Sequence, residues 1–270
     1  MDLSLDDHGT PRPPVVLRLA GAVIGFEISS PHLAEVVGAF AHASVEPTDT
    51  TPGIWYRHAW FRGRMRFLRD DPLRTVKPTP VGTTVKLLLD DLQLSVALHA
   101  TDDVFVHAGV VACDGRAIVL PGRSRVGKSS LVEALVRAGA TYCSDEYARL
   151  TPDGRIAPFA RPIQQRGSAG REIVDPYRLG AVADGPVEPG IVLFTRYVAE
   201  AAFAPVVVPP ARAALDVFDN TVIAEVDPDR AIEAAAGLAR RSVTMRTHRG
   251  EVDVATDAIL AMVQSVESPT

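Results

Sequence analysis

An α/β fold built on a mixed sheet, with a β-rich extension ahead of it, is the fold class the sequence predicts, and three observations predict it. A short apolar run at residues 117–120 leads directly into the octapeptide 122–129 (GRSRVGKS), and residues 129–138 then carry Leu131, Leu135 and Val136 at helical spacing. Beyond residue 140, apolar runs of strand length alternate with helical patterns. Ahead of residue 104, turn residues break up runs rich in β-branched and apolar side chains. The boundaries this implies are a flexible leader at 1–14, a β-rich extension at 15–100 and a core domain at 101–270.

In chain order, residues 15–28 (VVLRLAGAVIGFEI) predict one or two strands and residues 31–42 a short helix. Residues 48–53 (TDTTPG) and 73–82 (LRTVKPTPVG) are turn-rich linkers. Between them, residues 55–69 (WYRHAWFRGRMRFLR) alternate, which puts Phe61, Met65 and Phe67 on one face of an extended chain and Arg62, Arg64 and Arg66 on the other. This predicts an amphipathic strand, its arginine face either simply solvated or a docking surface for an acidic partner. Residues 84–98 (TVKLLLDDLQLSVAL) and 104–120 (VFVHAGVVACDGRAIVL) each predict a hairpin, the second turning at Asp114-Gly115. Residues 140–144 predict a short strand ending at Asp145, and residues 147–159 a hairpin turning at Pro152-Asp153-Gly154. Residues 191–194 and 206–208 read as extended, residues 211–219 and 229–240 as helical, and residues 242–247 as a last strand before a helix over 252–266.

Composition narrows the function classes. With 270 residues, 47% of them hydrophobic, the chain can bury a sizeable core. A net charge of -5 argues against a general nucleic-acid binder. Two cysteines, Cys113 and Cys143, make neither a disulfide scaffold nor a paired zinc site, which suits a reduced, cytoplasmic setting. The first residues (MDLSLDDHGTPRPP) lack the basic-then-apolar order of a secretory signal, and no apolar run reaches membrane-spanning length, so no membrane partner is expected.

The octapeptide fits the pattern G-x-x-x-x-G-K-[ST]. Its glycines let backbone N–H groups converge on phosphate oxygens, which also sit at the positive end of the following helix. A nucleotide is therefore expected on Gly122, Arg123, Ser124, Arg125, Val126, Gly127, Lys128, Ser129 and Ser130, with Lys128 on the β- and γ-phosphates and the Ser129 hydroxyl on Mg²⁺. Switches and motors share such a loop, so the carboxylates have to be read next. Asp145 and Glu146 are neighbours, which on a strand would face opposite ways. A base for a hydroxyl acceptor must reach its proton beside the γ-phosphate, and Asp145 is the candidate. His107, alone in an apolar strand, is either a satisfied core residue or a participant.

Taken together, His107, the loop GRSRVGKS and Ser144-Asp145-Glu146 resemble the catalytic core of the HPr kinase/phosphorylase family, whose members carry a histidine, a phosphate loop and an acidic pair in that order. The resemblance runs over roughly residues 104–265, through APFARPI (157–163), LFTRY (193–197) and Asp219-Asn220. It implies a phosphate-loop kinase core of the HPr kinase / PEP carboxykinase type that uses ATP and Mg²⁺. By resemblance, Asp145 takes the proton of the attacking hydroxyl, His107 orients or polarises the site, and Arg212 offsets charge on the transferred group, with Arg196 as its rival. Glu172 resembles the family's metal-binding glutamate, and Glu146 joins it and Ser129 around the metal.

The acidic pair here is Asp-Glu rather than Asp-Asp, and Arg125 stands where the family has glycine. The first 100 residues do not look like the N-terminal domain of the bifunctional enzymes. The acceptor implied is thus a serine-type hydroxyl on a protein or peptide other than HPr, as in the smaller relatives that modify peptides. A small-molecule hydroxyl is a second class of acceptor. The alternative to a kinase is a nucleotide-dependent binding module with little turnover, in which the segment 165–171 (QRGSAGR) orders around a partner; a lid closing over substrate would use the same residues. Family analogy adds a homo-oligomer.

Overall fold

The computed structural model describes residues 14–28, 44–47, 49–70, 73–75, 77–122, 127–160, 163–167 and 170–265. The leader expected before residue 14 and the helix expected at 31–42 lie outside the described residues. The chain divides into two compact units, Met1–Asp102 and Asp103–Thr270. Both are mixed α/β, and the described residues hold five α-helices and two mixed sheets, with a separate two-stranded ribbon.

In the first unit, β1 (Val15–Leu19) and β2 (Ala22–Glu27) form a hairpin. Its two turn residues, Ala20 and Gly21, both have positive φ, the backbone of a type I′ turn whose twist matches that of the strands. With β3 (Ser44–Glu46), β4 (Ile54–Phe61), β5 (Arg64–Asp70) and β6 (Leu73–Thr75) they make a six-stranded sheet in the order β3-β1-β2-β4-β5-β6. The stretch read as one amphipathic strand is in fact two, because Arg62 and Gly63 also adopt positive φ and fold β5 back on β4. Met65 and Phe67 are fully buried as the alternation predicts, Arg64 is exposed, and Arg69 turns inward.

The hairpin expected at 84–98 is instead one long helix, α1 (Val81–His99). Val85, Leu88, Leu89, Leu92 and Val96 fall on one helical face and are buried. Two polar residues on the helix take partners from the sheet: the Tyr56 hydroxyl donates to Asp91 at 2.8 Å and meets Ser95 Oγ at 2.7 Å, while Arg69 pairs with Asp91 at 3.2 Å. Asp91 is fully buried, so its charge is held by these contacts and not by water.

The second unit is a three-layer sandwich around an eight-stranded sheet. Its strands are β7 (Val104–Cys113), β8 (Arg116–Pro121), β9 (Thr141–Ser144), β10 (Tyr147–Leu150), β11 (Ile156–Ala157), β14 (Glu188–Tyr197), β15 (Val206–Val207) and β16 (Val243–Arg249). The order is β11-β10-β7-β8-β14-β16-β15, with β9 also on β7. The β7–β8 hairpin turns at Asp114 and Gly115, both with positive φ, as the sequence predicts. β12 (Ile163–Gly167) and β13 (Gly170–Val174) form the separate antiparallel ribbon, so the segment at 165–171 belongs to a hairpin whose tip, 168–169, lies outside the described residues.

Both faces of the main sheet are covered. Ala117 and Val119 of β8, Val106 and Val110 of β7 and Val192 of β14 point to one side, against α3 (Pro210–Phe218) and α4 (Pro228–Arg240). Ile118 and Leu120, Val111, and Ile191 with Leu193 point to the other, against α2 (Lys128–Arg137) and α5 (Val252–Gln264). Strands flanked by helices on two sides read as continuous apolar runs, which is the pattern of residues 117–120 and 191–193. No helix among the described residues is long and apolar enough to cross a membrane.

Candidate functional site

Strands β8, β14 and β16 run parallel, so their C-terminal ends share one edge of the sheet, the place where ligands bind in open α/β sheets. At that edge β8 ends on Pro121 and the chain leaves through Gly122, whose N–H donates to the His107 carbonyl at 3.0 Å. Arg123, Ser124, Arg125 and Val126, the middle of the expected loop, lie outside the described residues. The chain is described again at Gly127, which caps α2 in the left-handed conformation, φ 86°, with no side chain capping the helix. The first N–H groups of α2 are therefore left without a capping side chain at the positive end of the helix dipole. Ser129 and Ser130 are exposed on this first turn.

Lys128 is buried, with 6% of its surface exposed. Loss of hydration lowers its pKa, and the negative charges of Glu146 and Asp145 partly offset that shift. A lysine buried beside two carboxylates is the chemistry of a site that handles charge.

The carboxylates owe their place to an interruption in strand pairing. β9 pairs with β7 at Val110–Ala112 and β10 pairs with it at Val104–His107, on the same side and in one register from Ser144 to Tyr147, so Asp145 and Glu146 form a bend between the two strands. Ser144 holds the bend, its Oγ accepting from the N–H groups of Glu146 and Tyr147 at 3.4 and 3.2 Å, and the Glu146 carbonyl accepts from Ala108 N–H at 3.1 Å. Asp145 is buried and accepts from the Tyr142 hydroxyl at 3.4 Å. Glu146 is about one-third exposed and brings Oε1 to 4.0 Å from His107 Nδ1.

His107 is thus near the loop through its backbone and near the acids through its ring. Its N–H donates to the Asn220 carbonyl at 2.7 Å, and its ring lies 4.8 Å from that of Tyr147. Asp219 and Asn220 line an open hollow with Phe218, Ala224 and Glu225. A second open hollow, between α2 and α5, is lined by Ser130, Glu133, Val252, Asp253 and Thr256 among others. Beneath the site, Gly109 lets α2 approach β7: a Cβ there would lie 2.6 Å from Val132 Cγ2.

His107, Gly122, Gly127, Lys128, Asp145 and Glu146 are therefore gathered at one edge. Three other residues expected at the site lie on other elements. Arg212 is exposed on α3 and held by Asp216 at 3.2 Å, and Asp216 also binds Arg246. Arg196 is exposed near the end of β14. Glu172 is on β13, paired in register with Gln165, and its side chain lies outside the described residues. Among the described residues no cluster of three or more His, Cys, Asp or Glu side chains is gathered to hold a metal.

Sequence reading passed over Gly109, Tyr142 and Arg249, and took Tyr197 only as the end of LFTRY. Arg249 closes β16, where its Nη2 donates to the Gly127 carbonyl at 2.8 Å, and Tyr197 closes β14 opposite it. The signal was present in the endings of two strands, one aromatic and one basic, but it needs the parallel register to be seen.

No family model matches the chain. No curated protein matches it either. Among solved structures, that of the HPr(Ser) kinase/phosphatase from Coxiella burnetii is similar at 14% identity, covering 59% of this chain and 93% of that one with a TM-score of 0.34.

Proposed function

We propose that the protein is an ATP-dependent kinase of the HPr kinase-like type, transferring the γ-phosphate to a serine-type hydroxyl on a protein or peptide. The observation that carries this reading is the meeting of Lys128 with Asp145 and Glu146 at the start of α2, a buried cation for phosphate beside a buried carboxylate for a proton. The phosphate-loop motif supports the nucleotide, and the resemblance in residue order to HPr kinases supports the chemistry.

In this reading the acceptor hydroxyl oxygen attacks the γ-phosphorus in line, and the bond to the β,γ-bridging oxygen breaks, leaving its electron pair on ADP. The hydroxyl proton passes to the Asp145 carboxylate. Tyr142, donating to Asp145, holds that carboxylate in place. Lys128 and the N–H groups of α2 bind the phosphates. His107 orients Glu146 and ties the site to the first residue of the loop. The exposed Ser129 hydroxyl and the half-buried Glu146 carboxylate are hard oxygen donors of the kind Mg²⁺ takes beside water and phosphate. When bound there it would neutralise charge on the β- and γ-phosphates.

The test is phosphate transfer from γ-labelled ATP with Mg²⁺ to a pool of serine peptides, HPr and free serine, with parent and Asp145→Asn in parallel. The expected outcome is label on a peptide or protein acceptor, falling about a thousandfold in Asp145→Asn while ATP affinity is kept. Transfer by the variant at the parental rate would remove Asp145 as the base. Tight ATP binding with no transfer to any acceptor supports the binding module instead, and label on free serine points to a small-molecule acceptor.

A further inference from the structure

Beside the loop sits a second buried cation that the proposed chemistry has not used. Arg249 is 2% exposed, among the most deeply buried large side chains of the molecule. Its Nη2 donates to the Gly127 carbonyl at 2.8 Å and its Nη1 to the Gly250 carbonyl at 3.1 Å. Its Nε is buried and has no hydrogen-bond partner among the described residues. The guanidinium lies over the Tyr197 ring, 5.8 Å from its centroid, and the Tyr197 hydroxyl donates to Glu251 at 2.8 Å. Among the described residues the guanidinium bonds to carbonyls and to no carboxylate; Glu251 acts on it only at a distance. A buried cation without an ion-pair partner is costly unless an anion completes its surroundings.

The fold explains why the cation is there. Parallel pairing sets Arg249 level with Tyr197, and β14 and β16 continue past the end of β8, so the two side chains stand beside Gly127. The loop is fitted to the arginine in turn. Gly127 is left-handed, and a Cβ at that position would lie 2.5 Å from Arg249 Nη2.

We propose that Arg249 is a positioning residue for phosphate bound at the start of α2: it clamps the Gly127 carbonyl, so that the N–H groups of Lys128 and Ser129 are aimed at phosphate, and it adds positive charge beside Gly127. The proposal rests on the nucleotide reading of the loop given above. The alternative role is packing alone, which would cost stability and leave the affinity of the folded protein unchanged.

The experiment is calorimetric titration of the full chain with Mg²⁺-ATP for the parent, Arg249→Met, Arg249→Lys and Tyr197→Leu, each with a thermal melt, repeated with millimolar guanidinium and with sodium at equal ionic strength. Folded Arg249→Met should bind about tenfold more weakly, since a charge-assisted hydrogen bond is lost, and guanidinium but not sodium should restore part of the affinity. Parental affinity in Arg249→Met, or a loss that guanidinium does not relieve, overturns the proposal. If Arg249→Met does not fold, Arg249→Lys decides by the same affinity comparison. If neither folds, Tyr197→Leu decides, at a half-exposed position where the fold tolerates change: weaker binding supports the clamp, and parental affinity overturns it. Failure of the parent itself to bind ATP is a separate result and removes the nucleotide reading.

Discussion

Lys128 shows at the scale of one residue how burial and charge compete. Desolvation outweighs the pull of Glu146 and Asp145, so the ammonium holds its proton less tightly than a free lysine with its pKa of 10.5. The unfolded chain then binds this proton more tightly than the folded one. The charged lysine therefore costs stability below the folded pKa, and the cost fades as pH rises through that value toward 10.5. Phosphate affinity moves the other way, because only the protonated form attracts phosphate. ATP affinity should fall with rising pH, beginning at lower pH than an unperturbed lysine would allow, whereas Lys128→Arg should keep its affinity over the same range because the guanidinium stays charged. Calorimetric titrations across pH check this, and a flat profile in the parent would remove Lys128 as the phosphate cation.

At the scale of elements, the site depends on how closely α2 lies on β7. Gly109 makes that approach possible, since any Cβ would run into Val132. Gly109→Ala should destabilise the protein by about 1–3 kcal/mol, as overpacking does, and weaken ATP binding too, because the same helix carries Lys128. Urea unfolding and calorimetry measure the two effects; unchanged stability would mean that the helix shifts without cost. Elements also show where reading the sequence fails. Residues 84–98 contain alternating apolar positions and so resemble a hairpin, but the same residues satisfy helical spacing. The tie is broken by the sheet beneath, where Tyr56 and Arg69 supply partners for Asp91 and Ser95 one helical turn apart.

For the whole molecule, the chain divides at Asp102 and Asp103, and every residue of the candidate site falls in the second unit. That unit also has its own core on each face of its sheet. A fragment spanning 103–270 should unfold cooperatively and bind Mg²⁺-ATP as the full chain does. Circular dichroism and calorimetry test this, and a fragment that folds without binding would place part of the nucleotide site in the first unit. The arginines at 62, 64 and 66 belong to that first unit, so a docking role for them would appear in acceptor use and leave nucleotide affinity unchanged.

The sequence by itself determined the local features of this protein: the hairpin at Asp114-Gly115, the helix that follows the glycine-rich loop, the apolar strands on either side, and the acidic pair after them. Each is set by short-range effects, namely the φ a turn demands, the period of apolar residues, and the spacing of glycine and lysine. Only the tertiary structure decided what depends on partners distant in the chain. The β7 edge shared by β9 and β10 places the Asp145-Glu146 bend, the sheet of the first unit turns an ambiguous run into α1, and the parallel register of β14 and β16 carries Tyr197 and Arg249 to Gly127. Strand order and register follow from the burial of both faces together, which no local window contains.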